Sequence, residues 1–168
     1  MKLLLEAPLN SLSFGNVSYN IIKEFHRLDV ELGLFPTGGK VDLNAFDVSE
    51  DLKEYIQNAV NERWSFVDKE IPSLKLWHFN GSENRKNKDQ HLFTFYECSE
   101  PTKIEKATCA VQDSTIFSST YAKDMFDRIF KLIKLKDESK TIHLSISNNI
   151  PNVLIEADEN RLVQVVSN

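Results

Sequence analysis

Short apolar runs alternate with amphipathic segments along the first 125 residues of the chain. The runs predict five strands, at residues 2–6, 30–35, 74–78, 92–97 and 115–117. The segments between them place apolar residues at helical spacing. Because a strand buried on both faces reads as a near-continuous apolar run, we expect an α/β fold, a Rossmann-like parallel sheet with helices on both faces.

The helices of this pattern have recognisable first residues. Side chains that cap helix N-termini stand at Asn16, Ser49 and Thr102 and at residues 118–120, each ahead of an apolar stripe. In sheets of this kind, ligands bind beyond the carboxyl ends of the strands. The loops after the five predicted strands are therefore where a functional site is expected.

The pattern changes after about Phe126. Residues 141–147 alternate apolar and polar positions, which is typical of a half-exposed strand, and a second strand is predicted at residues 153–157 after a turn. These two strands look like an antiparallel pair. We therefore expect two parts, a Rossmann-like domain of residues 1–126 and a small, incomplete α+β segment of residues 127–168.

A last helix is predicted to begin at Asp158. Its buried positions would be Leu162, Val165 and Val166. If nothing covers these side chains, they form an exposed apolar stripe on the surface of the helix. The chain is then expected to self-associate through this helix, because exposed apolar stripes of this kind favour association.

Composition narrows the partners and the setting. The net charge of −5 offers no basic field for a phosphate backbone, so a nucleic-acid partner is not expected. No apolar run approaches the ~20 residues of a membrane span, and Glu6 interrupts the first run too early for a signal peptide. Two cysteines, Cys98 and Cys109, are too few for a disulfide scaffold and lack metal-binding spacing. We therefore expect a cytoplasmic setting and no metal.

The loop before the first predicted helix is one candidate binding site. Gly15 would let the backbone approach a ligand, because glycine has no side chain. The helix that Asn16 is expected to cap would favour an anion at its N-terminus. The alternative is that Gly15 only serves a turn.

His78 and Glu97 are the candidate catalytic residues, because each ends a predicted strand. His78 can contact a sugar hydroxyl or carry a proton, and Glu97 can recognise hydroxyl groups. The alternatives are a partly buried structural histidine and a loop carboxylate. No group of His, Cys, Asp or Glu has metal-ligand spacing, and no Walker loop or G-x-S-x-G motif occurs.

Four motifs resemble, in order and spacing, those of the N-terminal domain of nucleotide-sugar glycosyltransferases of the GT-B fold. They lie at residues 7–15, 76–83, 94–105 and 112–122. The resemblance implies a nucleotide-sugar donor, whose phosphates would lie at Gly15 and Asn16. It also implies a glycan or small-molecule acceptor, with His78 and Glu97 facing it as catalytic residues.

A second resemblance is to the start of the ATP-binding domain of sensor histidine kinases. It is carried by residues 140–144, 149–151 and, above all, 157–168. Asn168 would be the first asparagine of that family's asparagine box and would contact the nucleotide. The second asparagine, the glycine boxes and the ATP lid do not occur in the sequence, so ATP binding is not expected in this form.

Three functions remain open at this point. Glycosyltransferases of the first family bind most of the donor in a second Rossmann-like domain, which residues 127–168 do not resemble. That resemblance therefore implies an incomplete glycosyltransferase that does not transfer sugar alone. The alternatives are a fragment of a sensor histidine kinase with a glycosyltransferase-like N-terminal module, and an inactive chimeric or truncated fragment.

Overall fold

The structure, a computed structural model, describes residues 1–134 and the side chains up to residue 128. Several expectations lie outside the described residues. They are the two strands and the helix within residues 141–168, the kinase resemblance and the nucleotide contact at Asn168.

Strands and helices alternate through the described part of the chain. They are β1 (Lys2–Ala7), α1 (Ser13–Arg27), β2 (Glu31–Pro36), α2 (Glu50–Glu62), β3 (Ser73–Leu76), β4 (Gln90–Thr94), α3 (Lys103–Ala110), β5 (Ser114–Phe117) and α4 (Thr120–Lys134). A short 3-10 helix, Arg63–Phe66, follows α2. The five strands form one parallel sheet in the order β2-β1-β3-β4-β5, so the predicted α/β, Rossmann-like arrangement is confirmed.

The strand order sets where a ligand is expected. From β1 the chain moves outward to β2, and it then returns to β3 on the other side of β1. At such a reversal the loops that leave two neighbouring strands diverge and open a crevice at the carboxyl edge. Here that point lies between β1 and β3.

Register places alternate residues of the sheet on opposite faces. Leu5 is paired with Leu34 and Leu74 on one face, whereas Lys75 is paired with Glu6 and Leu92 on the other. Each face contributes to its own apolar cluster. The first joins the sheet to α1 and α2, with Leu5, Leu34, Tyr19, Ile22, Leu52 and Ile56 among its buried residues. The second joins it to α3 and α4 through Leu92, Cys109, Ala122, Met125 and Phe126.

The first helix begins earlier than predicted. Asn16 is not its cap, because α1 begins at Ser13 and Leu12 is the N-cap residue. The side chain that turns the chain into the helix is Asn10, whose Oδ1 accepts the Leu12 N–H at 3.0 Å. Gly15 consequently lies inside the first turn of α1 and not in the loop before it.

The third and fourth strands end earlier than predicted. β4 ends at Thr94, so Glu97 does not end a strand. The reason is that Thr94 is paired with Phe117, the last residue of β5, and the chain beyond has no neighbouring strand to pair with there. Likewise β3 ends at Leu76, which places His78 in the following loop.

The other helix starts agree with the sequence. Ser49 is the N-cap residue of α2. Thr102 and Glu105 form a reciprocal capping box at the start of α3. Ser119 Oγ accepts the Ala122 N–H at the start of α4. Helix α4 continues to Lys134 without a break at residue 126, where the sequence suggested a domain boundary.

Candidate functional site

An aromatic cluster lies at the carboxyl edge, where the loops after β1, β3 and β4 meet. The Phe14 ring on α1 lies 4.6 Å from the His78 ring, 5.0 Å from Phe95 and 5.9 Å from Trp77, centroid to centroid. The contacts with His78 and Phe95 are edge-on, which is a favourable arrangement of rings. Phe14, Trp77, His78 and Phe95 are called the aromatic site below.

The aromatic site combines apolar walls with one exposed polar ring. Phe14, Trp77 and Phe95 are half-buried, and His78 is exposed. Rings that are fixed in place but still accessible can pack against the C–H face of a sugar. The exposed imidazole can exchange a hydrogen bond or a proton with a hydroxyl group.

The loop that carries His78 is held from beneath by a buried lysine. Lys75 Nζ, on β3, donates to the carbonyl oxygens of Gly81 at 2.8 Å and Asn84 at 3.4 Å. Ser82 Oγ donates to the carbonyl oxygen of His78 at 2.5 Å. Gly81 has a φ of +86°, so this turn requires glycine there.

A buried glutamine, Gln90, and a half-buried one, Gln112, hold the same loop from the side. The Nε2 groups of Gln90 and Gln112 donate to the carbonyl oxygen of Ser82 at 3.0 and 2.9 Å. Gln90 Nε2 also donates to Gln112 Oε1 at 2.8 Å. A loop fixed through buried hydrogen bonds presents His78 in a defined position, which a binding site needs.

Electrostatics around Lys75 are unusual for a parallel sheet. Burial lowers the pKa of Lys75; the nearby Glu6 carboxylate opposes this shift, and Lys86 adds to it. Glu6 Oε2 lies 3.9 Å from Lys75 Nζ and 3.3 Å from Lys86 Nζ. One buried carboxylate therefore faces two ammonium groups.

Four of the site residues predicted from the sequence lie within residues 1–134. His78 is part of the aromatic site. Glu97 is exposed two residues beyond Phe95, in the loop that follows β4. Gly15 and Asn16 lie in the first turns of α1, immediately after Phe14. All four are therefore at the carboxyl edge, and one of them is placed among the clustered rings.

Packing within the chain accounts for Gly15. A Cβ at this position would lie 2.1 Å from the carbonyl oxygen of Asn10, so the space beside the glycine is already filled by the preceding loop. Asn16 Nδ2 donates to the carbonyl oxygens of Ser11 and Leu12 at 3.1 and 3.4 Å. Gly15 and Asn16 thus both serve the turn into α1. The contact with donor phosphates that the resemblance implies for them stays a prediction.

Sequence reasoning missed most of the aromatic site. The sequence places Phe14 in the loop before the first predicted helix, and Trp77 and Phe95 in predicted strands, without giving any of the three rings a role. The available signal was Lys75, a lysine between two leucines in an otherwise apolar strand. A buried lysine needs hydrogen-bond partners, and here those partners are the carbonyl groups of the loop that carries His78.

Within residues 1–134 no group of three or more His, Cys, Asp or Glu side chains is arranged to hold a metal ion. None of the helices in this range is long and apolar enough to cross a bilayer.

Comparison with known proteins adds no assignment. No protein-family model, no curated protein and no solved structure matches the chain. The glycosyltransferase and histidine-kinase resemblances therefore stay predictions, and a function has to be argued from the geometry of the described residues.

Proposed function

We propose that the described domain is the acceptor-binding half of a nucleotide-sugar glycosyltransferase and that it binds a sugar acceptor on the aromatic site. The observation that carries the proposal is the exposed His78 ring packed on Phe14 beside Trp77 at the carboxyl edge. Apolar rings next to a single polar group suit a ligand that presents both C–H faces and hydroxyl groups.

In the complete reaction His78 would act as the general base. The acceptor hydroxyl would lose its proton to the imidazole while its oxygen forms a bond to the anomeric carbon of the donor. The bond from that carbon to the phosphate oxygen would break, and the nucleoside diphosphate would leave with the electron pair. Glu97 would bind another acceptor hydroxyl from the neighbouring loop.

Sugar transfer by this domain alone is not part of the proposal. Transfer requires the donor to be held beside the acceptor in a reactive geometry. The glycosyltransferase resemblance assigns most donor contacts to a second Rossmann-like domain, and the residues described here form one sheet. We therefore propose acceptor binding without measurable turnover for this chain.

The test is a titration of mono- and disaccharides followed by two-dimensional NMR. Weak, saturable binding should shift the indole N–H signal of Trp77, and His78→Ala should weaken this binding about tenfold, the effect of losing one good polar contact. Trp77→Ala, followed through the backbone N–H signals of the loop after β3, should weaken binding to a similar extent. The matched control is Trp64→Ala, which removes an exposed indole of the 3-10 helix after α2. If no sugar shifts the Trp77 signal, or if His78→Ala binds as the parent does, the proposal is wrong.

A further inference from the structure

A cavity of about 760 Å³ lies beyond the carboxyl end of β2, away from the aromatic site. Phe35 and Trp64 form its aromatic walls, with ring centroids 4.9 Å apart in an edge-on contact. Its volume is within the roughly 300–1,000 Å³ of small-molecule sites. Phe35, Trp64 and the cationic residues named next are called the cationic cavity.

Four cationic side chains line the cavity. They belong to Lys40, Lys53, Arg63 and Lys86. The described residues that line it include no Asp or Glu. The chain has a net charge of −5, yet every charged side chain among the described lining residues is positive. The cavity is therefore a locally positive region of an acidic protein.

Two of the cations lie over the same aromatic ring. The Lys86 Nζ is 4.8 Å from the Phe35 ring centroid and the Arg63 guanidinium carbon is 5.6 Å from it. The Arg63 guanidinium also lies 5.9 Å from the Trp64 ring centroid and donates to the carbonyl oxygen of Val60. These contacts hold both cations at the cavity wall beside an apolar surface.

The buried charges behind the cavity do not balance. Glu6 pairs with both Lys75 and Lys86, and the side chains of Glu6 and Lys75 are 8% and 6% exposed. Lys86, at 32% exposure, is the member of this group that lines the cavity. Glu83 is the other carboxylate that acts on Lys75, but it is exposed and solvent screens its charge. A net positive charge therefore remains at the cavity wall, where solvent screens it only in part.

The other lysines add positive charge at the entrance. Lys53 Nζ is 2.6 Å from Glu50 Oε1, but the Glu50 side chain is 88% exposed and its charge is largely screened. Lys40 is exposed on the loop after β2. An anion in the cavity would thus meet Lys86 and Arg63 at the wall and Lys40 at the rim.

We propose that the cationic cavity binds a small phosphate ester. The phosphate group would neutralise the excess charge at Lys86 and pair with Arg63, whose planar guanidinium suits phosphate oxygens. The organic part of the ester would lie on Phe35 and Trp64. A phosphate carries about two negative charges near neutral pH, which matches a wall with several cations better than a single carboxylate does.

This site is separate from the aromatic site and does not depend on the proposed function. Consecutive glycines of the loop after β2 lie between them: Gly39 lines the cavity, and a Cβ on Gly38 would lie 3.8 Å from Trp77 Cη2. Each surface also has its own tryptophan, and the chain has two. Binding at one surface can therefore be distinguished from binding at the other.

The experiment uses Trp77→Phe, which leaves Trp64 as the single tryptophan. Phenyl phosphate is titrated at constant ionic strength while tryptophan fluorescence is recorded. We expect a saturable change with phenyl phosphate, weaker binding of inorganic phosphate and no saturable change with benzyl alcohol. Comparing phenyl phosphate with inorganic phosphate tests the contribution of the aromatic wall. Comparing phenyl phosphate with benzyl alcohol tests the contribution of the cations.

Charge variants in the same background locate the binding. Lys86→Gln and Lys40→Gln should each weaken phenyl phosphate binding about tenfold, the loss of one charge-assisted contact. Lys88→Gln, an exposed lysine of the same loop as Lys86, is the matched control and should bind normally. If Lys86→Gln fails to fold because Glu6 loses a partner, Lys40→Gln alone carries the test.

Three results would overturn the proposal. They are the absence of any saturable change at Trp64, equal affinities of the Lys40 and Lys88 variants, and equal affinities for phenyl phosphate and inorganic phosphate. Equal affinities for the two phosphates would show that Phe35 and Trp64 contribute nothing to binding. The ligand would then need no organic part.

Discussion

The carboxyl edge of the sheet carries two surfaces that differ in chemistry although they lie at the same edge, on either side of β1. The aromatic site, after β3 and β4, consists of packed rings with one exposed imidazole. The cationic cavity, after β2, is walled by cations and two further rings. The difference shows that one sheet edge can present two chemically distinct surfaces, because the loops diverge where the strand order reverses.

Lys75 connects the two surfaces. Its ammonium group donates to the Gly81 carbonyl under the aromatic site and faces Glu6, which pairs with Lys86 at the cationic cavity. The same buried charge therefore fixes the loop of one surface and sets the excess charge of the other. Substitutions of Lys75, of two glycines (Gly15 and Gly33) and of two tyrosines (Tyr55 and Tyr96) test the packing and the charges behind these surfaces.

The largest expected effect comes from the glycines. Gly15→Ala places a Cβ 2.1 Å from the Asn10 backbone, and Gly33→Ala places one 2.7 Å from the Phe66 ring. Overpacking costs about 1–3 kcal/mol, so we expect Gly15→Ala to lower the free energy of unfolding by about 3 kcal/mol and Gly33→Ala by about 1.5 kcal/mol. Gly15→Ala should lower stability more than Gly33→Ala does, because a ring can shift more easily than a backbone carbonyl. Urea denaturation measures both, and the reverse order would contradict the packing described at Gly15.

An effect smaller than that of Gly15→Ala is expected from Lys75→Met. The substitution removes the hydrogen bonds to Gly81 and Asn84 and leaves Glu6 paired with Lys86 alone. Losing two buried hydrogen bonds should lower the free energy of unfolding by about 2 kcal/mol, an amount partly offset by the relief of desolvation.

The same Lys75→Met variant should weaken binding at both surfaces, for a different reason at each. Sugar binding at the aromatic site should weaken, since the loop of His78 loses its anchor. Phenyl phosphate binding should also weaken, because the excess positive charge behind Lys86 is gone. The control is Lys69→Met, an exposed lysine. A variant that loses neither affinity would show that Lys75 does not connect the surfaces.

The smallest expected effect is a pH dependence. Burial raises the pKa of Tyr55 to about 12, and its hydroxyl donates to the Val30 carbonyl at 2.8 Å. The unfolded chain loses this proton near pH 10 and the folded chain does not, so the contribution of Tyr55 to stability should be unchanged below pH 10 and fall between about pH 10 and 12. Burial also raises the pKa of Tyr96, on the other side of the sheet.

Alkaline denaturation of Tyr55→Phe and Tyr96→Phe separates the two contributions. Each variant should lose part of the decrease in stability above pH 10 that the parent shows. A parent protein whose free energy of unfolding is constant from pH 9 to about pH 12 would contradict the burial of both phenols.

The sequence predicted the sheet well because its signals are local. Five apolar runs became five parallel strands, and Ser49 and Thr102 start helices as their side chains indicated. The predicted ends of elements were wrong where a residue outside the element determines the end. The end of β4 before Glu97 depends on where β5 ends, and the start of α1 before Asn16 depends on the turn at Asn10.

The sites were harder to predict than the sheet. His78 was identified from its place at the end of a predicted strand, but the rings around it come from helix α1 and from the loops after β3 and β4. The cationic cavity was not predicted at all, because Phe35, Arg63 and Lys86 are far apart in sequence. Lys86 in particular lies in a polar stretch, residues 80–89, that indicates only an exposed loop.

The most direct test of two separate surfaces is a crossed titration of Trp64→Phe and Trp77→Phe with a sugar and with phenyl phosphate. Each variant keeps one of the two tryptophans. The sugar should change only the fluorescence of Trp77, and phenyl phosphate should change only that of Trp64. If either ligand perturbs both tryptophans with the same affinity, the carboxyl edge forms one site and the account of two surfaces is contradicted.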